Sequence, residues 1–278
     1  MPNDRSGLAD VASELISECA TVIRRLLPGI RSGRGIGIKG TNSADVVTDL
    51  DRAVEARIAK VLGSLRPDDG LVGEEGTQRP GTSGIVWVCD PIDGSASMLH
   101  GAGRWAVSVA GTADGISLVG AVCDVEAGET FRATAGQGAT MNGLPITVSG
   151  VQCLAESIIA TDFGHDRALC RDQAAVMGAV ASRSRAMRNV GSTALHICWV
   201  AAGRLDAAYQ TTTRWWDVAA SVLCLTEAGG VVSDLAGGPM RPESVVAATP
   251  GIHTELLAAL HMPHVNCPAI TDGGCGAP

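Results

Sequence analysis

The sequence predicts an α/β protein made of two halves with a cleft between them. Three observations carry that expectation. The chain has 278 residues, 46% of them hydrophobic, enough to bury a large core. Strand-like apolar runs dominate the part before Gly150, and strand-like and helix-like segments alternate after it. The halves are read as residues 1–150, α+β in character, and residues 151–262, α/β in character. Residues 263–278, rich in Gly and Pro, read as a disordered tail.

Each element follows from local pattern. Leu8, Val11, Leu15, Val22, Ile23 and Leu26 recur at helical spacing, predicting a helix over Leu8–Leu27 that Pro28 and Gly29 stop. The glycine-rich segment Arg31–Gly40 then reads as a loop. A second helix is expected over Asp49–Leu65, with Asp45, Thr48, Asp49 and Asp51 crowding its start as caps and dipole complements. Strands are expected at Ile85–Cys89, Trp105–Ala110, Leu118–Val122 and Phe131–Ala135, with turns at Asp114-Gly115 and Met141-Asn142-Gly143. In the second half, strands are read at Ser157–Thr161, Leu205–Tyr209, Val231–Asp234 and Ser244–Ala248. Helices are read at Ala168–Ala181, Thr193–Ala202, Asp217–Ala228 and Thr254–His261. Aromatic residues make up only 3% of the chain, so the core is expected to be aliphatic.

Charge and cysteine usage narrow the function classes. Lys+Arg number 21 against 29 Asp+Glu, a net charge of −8, which argues against nucleic acid and anionic membranes as partners. The nine cysteines contain no C-x-x-C pair and mostly sit in apolar runs, so they read as small buried hydrophobes in a reducing compartment. No signal-peptide pattern or bilayer-length apolar stretch is seen, and a cytoplasmic location is expected.

Three acid-bearing segments stand out: Gly73-Glu74-Glu75-Gly76, Trp87-Val88-Cys89-Asp90-Pro91-Ile92-Asp93-Gly94-Ser95, and Trp215-Trp216-Asp217-Val218-Ala219-Ala220. In the second, an apolar strand ends in two carboxylates, and a tight turn after Asp90 is expected to fold Asp93 back beside it. Gly94 and Ser95 offer backbone N–H groups suited to an anion there. Carboxylates so close raise each other's pKa unless a cation joins them, and a hard divalent ion such as Mg²⁺ suits oxygen ligands. Taken singly, each segment also fits an ordinary turn, a solvated loop or a helix cap.

Asp90-Pro91-Ile92-Asp93-Gly94-Ser95 resembles the D-P-(I/L)-D-G-(T/S) signature of the inositol monophosphatase family. Trp216-Asp217-Val218-Ala219-Ala220 with Glu227-Ala228-Gly229-Gly230 is similar to its second signature. Asp45–Asp51, Gly73-Glu74-Glu75, Met141–Ile146 and Gly191–Leu195 fall in the family's order, so the resemblance spans about Leu8 to His261. It implies a layered α-β-α-β-α sandwich of the inositol monophosphatase/fructose-1,6-bisphosphatase type, assembled as a homodimer. It implies two or three Mg²⁺ per site, with Mn²⁺ able to substitute, and lithium sensitivity. Glu74, Asp90, Asp93, Asp217 and the Ile92 carbonyl would be the metal ligands. Ser95 with Asp51, alongside Glu74, would orient the attacking water, with Lys39 near the site and Thr48 behind it. Gly94, Ser95, Gly191 and Ser192 would meet the substrate. The implied activity is hydrolysis of a small phosphorylated metabolite.

Departures bear on the substrate. Ala96 and Ser97 replace a Thr-Asn pair common in relatives, and Gln210 stands where inositol-specific members carry a glutamate gripping the ring. His165, Asp166 and Arg167 lie where relatives contact the non-phosphate moiety. The expected substrate is therefore a sugar, polyol or nucleoside phosphate. The alternatives are inositol monophosphate, histidinol phosphate, fructose 1,6-bisphosphate or an adenosine bisphosphate, or a non-catalytic phosphate-binding or protein-interaction role.

Overall fold

Apolar spacing at a helical period gives the first long element, α1 (Arg5–Arg31), which buries Leu8, Leu15, Cys19 and Ile23. The computed structural model describes residues 5–38, 46–164 and 167–261. Contrary to the expected stop at Pro28, α1 continues to Arg31. Proline this close to a helix end forfeits only its own bond back to the preceding turn, and buried Ile30 anchors the last turn in the core. The expected loop after it contains a strand, β1 (Ile36–Ile38), paired antiparallel with β2 (Val46–Thr48). Lys39 and Asp45 lie outside the described residues.

Helix α2 (Asp49–Leu65) has the expected bounds and cap: Leu50 N donates to Thr48 Oγ1 at 3.1 Å, and Thr48 N donates to Asp51 Oδ2 at 2.9 Å. There follow β3 (Gly70–Gly73), β4 (Gln78–Arg79), β5 (Val86–Asp93), the short α3 (Ser95–His100), β6 (Ala106–Ala113), β7 (Ile116–Asp124), β8 (Glu129–Thr134), β9 (Ala139–Met141) and β10 (Leu144–Pro145). The strands form one eight-stranded sheet in the order β10-β9-β8-β7-β6-β5-β3-β4, antiparallel throughout except for β3 with β5. Both expected hairpin turns hold left-handed residues, Asp114 with Gly115 and Asn142 with Gly143. Strands β3, β4, β9 and β10 and helix α3 carried no sequence signal that singled them out.

The second half supplies β11 (Ile158–Ala160), α4 (Arg167–Ala181), β12 (Ala186–Arg188), α5 (Thr193–Ala201), β13 (Ala207–Gln210), α6 (Trp215–Glu227), β14 (Val231–Ser233), β15 (Val245–Ala248) and α7 (His253–Leu260). Its sheet runs β12-β11-β13-β15-β14, with β11 parallel to both neighbours and β15 antiparallel to both of its own. Helices α1 and α2 cover one face of the large sheet, α5 and α6 fill the space between the sheets, and α7, packed on α4, covers the far side of the small one. The protein is thus an α-β-α-β-α sandwich.

The middle layer is packed by Ala110, Val122 and Phe131 of the large sheet, Leu195, Val200, Val218 and Leu225 of α5 and α6, and Ala208 and Val245 of the small sheet. Most of the core is aliphatic as expected, yet Trp87, Trp105, Phe131 and Tyr209 are fully buried in it. Five cysteines (Cys19, Cys89, Cys123, Cys198, Cys224) are buried and unpaired as expected, whereas Cys153 is exposed and Cys170 half-buried. No helix among the described residues is long and apolar enough to cross a membrane. The tail from residue 262 onward lies outside the described residues.

Helix α6 lies on the large sheet at backbone contact. A Cβ added at Gly120 on β7 would stand 2.9 Å from the Cα and carbonyl oxygen of Ala220. Ser117 Oγ donates to Ala219 O at 2.8 Å on the same surface. At the far end of α6, the Glu227 carboxylate accepts from Gly136 N and Gly138 N, each at 2.7 Å. Helix α6 cannot rise without breaking these bonds, so Gly120→Ala should cost about 1–3 kcal/mol of stability. Gly178→Ala, in the last turn of α4 with open space around it, should instead be neutral or stabilise by about 0.5–1 kcal/mol. Thermal or urea denaturation of the two variants checks both, and equal melting points would refute the packing argument.

Candidate active site

In a regular strand, residues three apart point to opposite faces of the sheet. Asp90 and Asp93 nevertheless share one. On the neighbouring strand β6, Asp90 lies opposite Ser108 and Asp93 opposite Ala106, so three steps on β5 match two on β6. The extra residue is a β-bulge, and it turns both carboxylates toward α6. This corrects the expected tight turn: the strand does not end at Cys89 but carries the motif through to Asp93. Ile92 N donates to Asp90 Oδ1 at 2.9 Å across the bulge.

The other acids arrive from separate elements. Glu74 follows the end of β3, its N–H donating to Cys89 O at 3.2 Å. Asp217 sits in the first turn of α6, where Arg214 N donates to its Oδ2 at 2.7 Å. Glu74, Asp90 and Asp217 each offer a carboxylate oxygen, and the three oxygens lie within 4.8 Å of one another. Asp93 faces the same cavity, with its Oδ2 accepting from Ser192 Oγ at 2.5 Å and Ala194 N at 2.6 Å. The cavity holds about 540 Å³ and is lined by Glu74, Asp90, Ile92, Asp93, Gly94, Ser95, Gly191 and Asp217 among the residues expected from sequence.

Burial and mutual repulsion dominate the electrostatics. Burial pushes the Asp90 carboxyl well above the usual carboxylate range, and Glu74, Asp93 and Asp217 push it further. Asp217 is likewise raised by burial and then by Asp93, against the hydrogen bond from Arg214 N. Asp93 is pushed up to about 7 by burial, even though Ser192 and Ala194 N favour its ionised form. A convergent set of carboxylates, with no histidine or cysteine in it, fits a hard divalent cation of the magnesium type.

Ser95 opens α3 beside this cluster. Its Oγ lies 2.6 Å from Asp51 Oδ1 and 3.0 Å from Ile92 O. Asp51 is itself held through Oδ2 by Thr48 N and by Thr48 Oγ1 at 2.5 Å. The expected Ser95–Asp51 pair with Thr48 behind it is therefore brought together. Gly94 and Gly191, both left-handed, allow the two loops to meet, since a Cβ on Gly94 would strike Gly191 O.

Two expected substrate contacts do not reach the cavity lining. Ser192 is buried, caps α5 by accepting from Leu195 N at 3.1 Å, and clamps Asp93. Gln210, at the end of β13, is 3% exposed with its side-chain amide 3.3 Å from His196 Nδ1. Val190 N donates to His196 Nε2 at 2.8 Å, which places the ring proton on Nδ1. Gln210 should then present its Oε1 to that proton. Burial lowers His196 to about 4, so the ring stays neutral. Gln210 is thus a core partner of His196, and the inference from it against an inositol ring loses its footing. His165 and Asp166 lie outside the described residues, as does the side chain of Arg167. The cavity is also lined by Asp162, Phe163, Asn189, Thr212, Arg214 and Trp216. Of these, Asp162 and Phe163 stand just before His165 in the segment expected to meet the substrate, and Arg214 was findable only as the residue three before Asp217.

The raised carboxyls predict how the metal-free protein responds to pH. A carboxyl near 3.8 when unfolded and near 7 when folded keeps its proton only in the native state across that window. Stability then falls as pH rises through the window, because the folded state must release a proton that the unfolded state has already lost. In chelator, the melting temperature should drop between about pH 5 and about pH 8, with Mg²⁺ opposing the drop. A melting temperature that rises over this range in chelator would contradict the electrostatic picture.

Comparison with known proteins agrees with this geometry. The model of the inositol monophosphatase family matches residues 4–265. Inositol-1-monophosphatase of Mycobacterium bovis is 37% identical over 277 residues, covering 93% of this chain and 94% of its own. The Nus factor SuhB of Pasteurella multocida is 37% identical over 224 residues, covering 79% of this chain and 83% of its own. The crystal structure of extragenic suppressor protein suhB from Bartonella henselae superposes with a TM-score of 0.86 at 30% identity, covering 91% of this chain and 98% of that one. The match along nearly the whole chain, joined to the acid cluster on the bulged strand, shows that the chain belongs to the inositol monophosphatase family.

Proposed function

We infer that the protein is a magnesium-dependent phosphatase acting on a small phosphate monoester of the sugar, polyol or nucleoside class. The observation that carries this reading is the convergence of Glu74, Asp90 and Asp217 in one cavity beside the Ser95–Asp51 pair. Glu74, Asp90 and Asp217 would hold the metal, with Asp93 and the Ile92 carbonyl completing the oxygen set. What magnesium supplies there is positive charge, to acidify a water and to stabilise the departing alkoxide. Ser95 Oγ donates its hydrogen bond to Asp51, which leaves its oxygen lone pairs to receive a water's hydrogen and fix that water's direction. Thr48 orients Asp51 through two hydrogen bonds to one oxygen. The leading N–H groups of α3, from Ser95 onward, have no partner within the helix and suit a phosphate oxygen. Arg214, on the cavity wall, adds positive charge for an anionic substrate.

Gln210, being engaged with His196, no longer speaks against inositol monophosphate, which stays in the substrate panel. The match to a relative named Nus factor SuhB leaves a non-catalytic role as the alternative. Such a role would not require three acids to be clustered in one cavity against their repulsion. Phosphate release from inositol 1-phosphate, sugar monophosphates and nucleoside monophosphates, with Mg²⁺ and again in excess chelator, decides between them. Turnover should vanish in chelator and return with Mg²⁺ or Mn²⁺, and a folded, metal-loaded protein inert on the whole panel would favour the non-catalytic reading.

Ser95→Ala should lower kcat on the order of 10²-fold and leave KM nearly unchanged, because its hydroxyl acts mainly in the transition state. Steady-state kinetics on the best substrate of the panel checks this, and an unchanged kcat would reduce Ser95 to its backbone N–H.

A further inference from the structure

Helix α2 presents a second buried carboxylate one turn beyond Asp51. Glu55 is 2% exposed, and no lysine, arginine or histidine forms an ion pair with it among the described residues. Its partners are backbone donors: Glu75 N at 2.7 Å to Oε2 and Thr77 N at 2.8 Å to Oε1. The chain before them passes directly over the same group, since a Cβ on Gly73 would strike the Glu55 carboxyl. Residues 73–77 are therefore folded around one carboxylate. Gly73 N donating to Thr77 O at 2.8 Å closes the turn.

Glu74 stands inside that turn. Of the three clustered acids it alone lies in a loop, for Asp90 belongs to strand β5 and Asp217 to helix α6. A strand or helix fixes its side chains through its own ladder, whereas a loop needs a partner from elsewhere. A buried carboxylate is also expensive unless hydrogen bonds satisfy it. Glu55 meets both conditions, because it fills the turn and takes two of the turn's N–H groups as charge-assisted bonds.

We propose that Glu55 is the positioning residue for Glu74, setting the direction in which the loop delivers that carboxylate to Asp90 and Asp217. Residues four apart on a helix share a face. One face of α2 thus sets both parts of the site: Asp51 holds Ser95, and Glu55 holds the turn of Glu74. The proposal rests on the metal reading of the acid cluster, and its test separates the two.

The variants are Glu55→Gln and Glu55→Asp in the full chain, with Mn²⁺ binding followed by isothermal titration calorimetry. An amide offers one acceptor where the turn needs two, and its NH₂ opposes one of the N–H donors. Glu55→Gln should weaken Mn²⁺ binding at least tenfold and raise the Mg²⁺ needed for half-maximal phosphate release in step. The kcat at saturating Mg²⁺ should stay within a few-fold of wild type. Glu55→Asp keeps the charge but is one methylene shorter, and should fall between the two. If Glu55→Gln does not fold, the Glu55→Asp titration decides alone. A variant that melts earlier yet binds Mn²⁺ like wild type makes Glu55 a structural clamp only and overturns the proposal. Wild-type protein that binds no Mn²⁺ overturns the metal reading beneath it.

Discussion

Repulsion among clustered carboxylates is the constraint around which this protein is arranged. Two unit charges about 4 Å apart interact by roughly 4 kcal/mol at the effective dielectric of a protein site. Glu74, Asp90, Asp93 and Asp217 face one cavity, and burial raises the last three further. The fold brings them from strand β5, helix α6 and the loop after β3, and gives the last three a backbone donor each. Ile92 N serves Asp90, Ala194 N serves Asp93 and Arg214 N serves Asp217. Neutral dipoles of this kind favour the ionised acid without inserting a side-chain ammonium where a metal would sit. Chemistry and scaffold therefore make the same demand, that charge be concentrated at one point and held there.

Holding Asp217 in place falls to α6, and this explains the layering. The helix lies between the two sheets, close enough to β7 that Gly120 meets the backbone of Ala220. Its far end is tied to the β8–β9 turn through Glu227, so its first turn has a set height above the bulge of β5. Small residues make that approach possible, and a helix start is electrostatically favourable for an acid. The same middle layer contributes α5, whose cap residue Ser192 and first-turn Ala194 reach across to Asp93. The two halves read from sequence thus share a core at the site.

Gln210 shows how a residue can match a family position and do different work. Its amide faces the neutral, buried His196, which in turn receives the N–H of Val190 beside the Gly191 loop. That chain of contacts shapes the cavity wall from behind. The groups that do line the cavity include Asp162, Asn189 and Arg214.

The sequence by itself determined most elements of this fold and the identity of the acids. Helical spacing marked α1, the capping residues Thr48, Asp49 and Asp51 marked the start of α2, the Asp-Gly and Asn-Gly pairs marked two hairpin turns, and the acid motifs singled out Glu74, Asp90, Asp93, Ser95 and Asp217. These are local signals, written in neighbours along the chain. The tertiary structure alone decided how the acids meet. The bulge depends on how β5 pairs with β6, the height of Asp217 depends on α6 touching Gly120, and the withdrawal of Gln210 depends on a histidine from another helix. Helix α1 outran Pro28 for the same reason, because burial of Ile30 outweighed one missing hydrogen bond. Glu55 reads as an ordinary helical acid until the turn of Glu74 is folded over it. Residue type and short-range period set what each segment can become, whereas contacts between distant segments select which carboxylate faces which cavity.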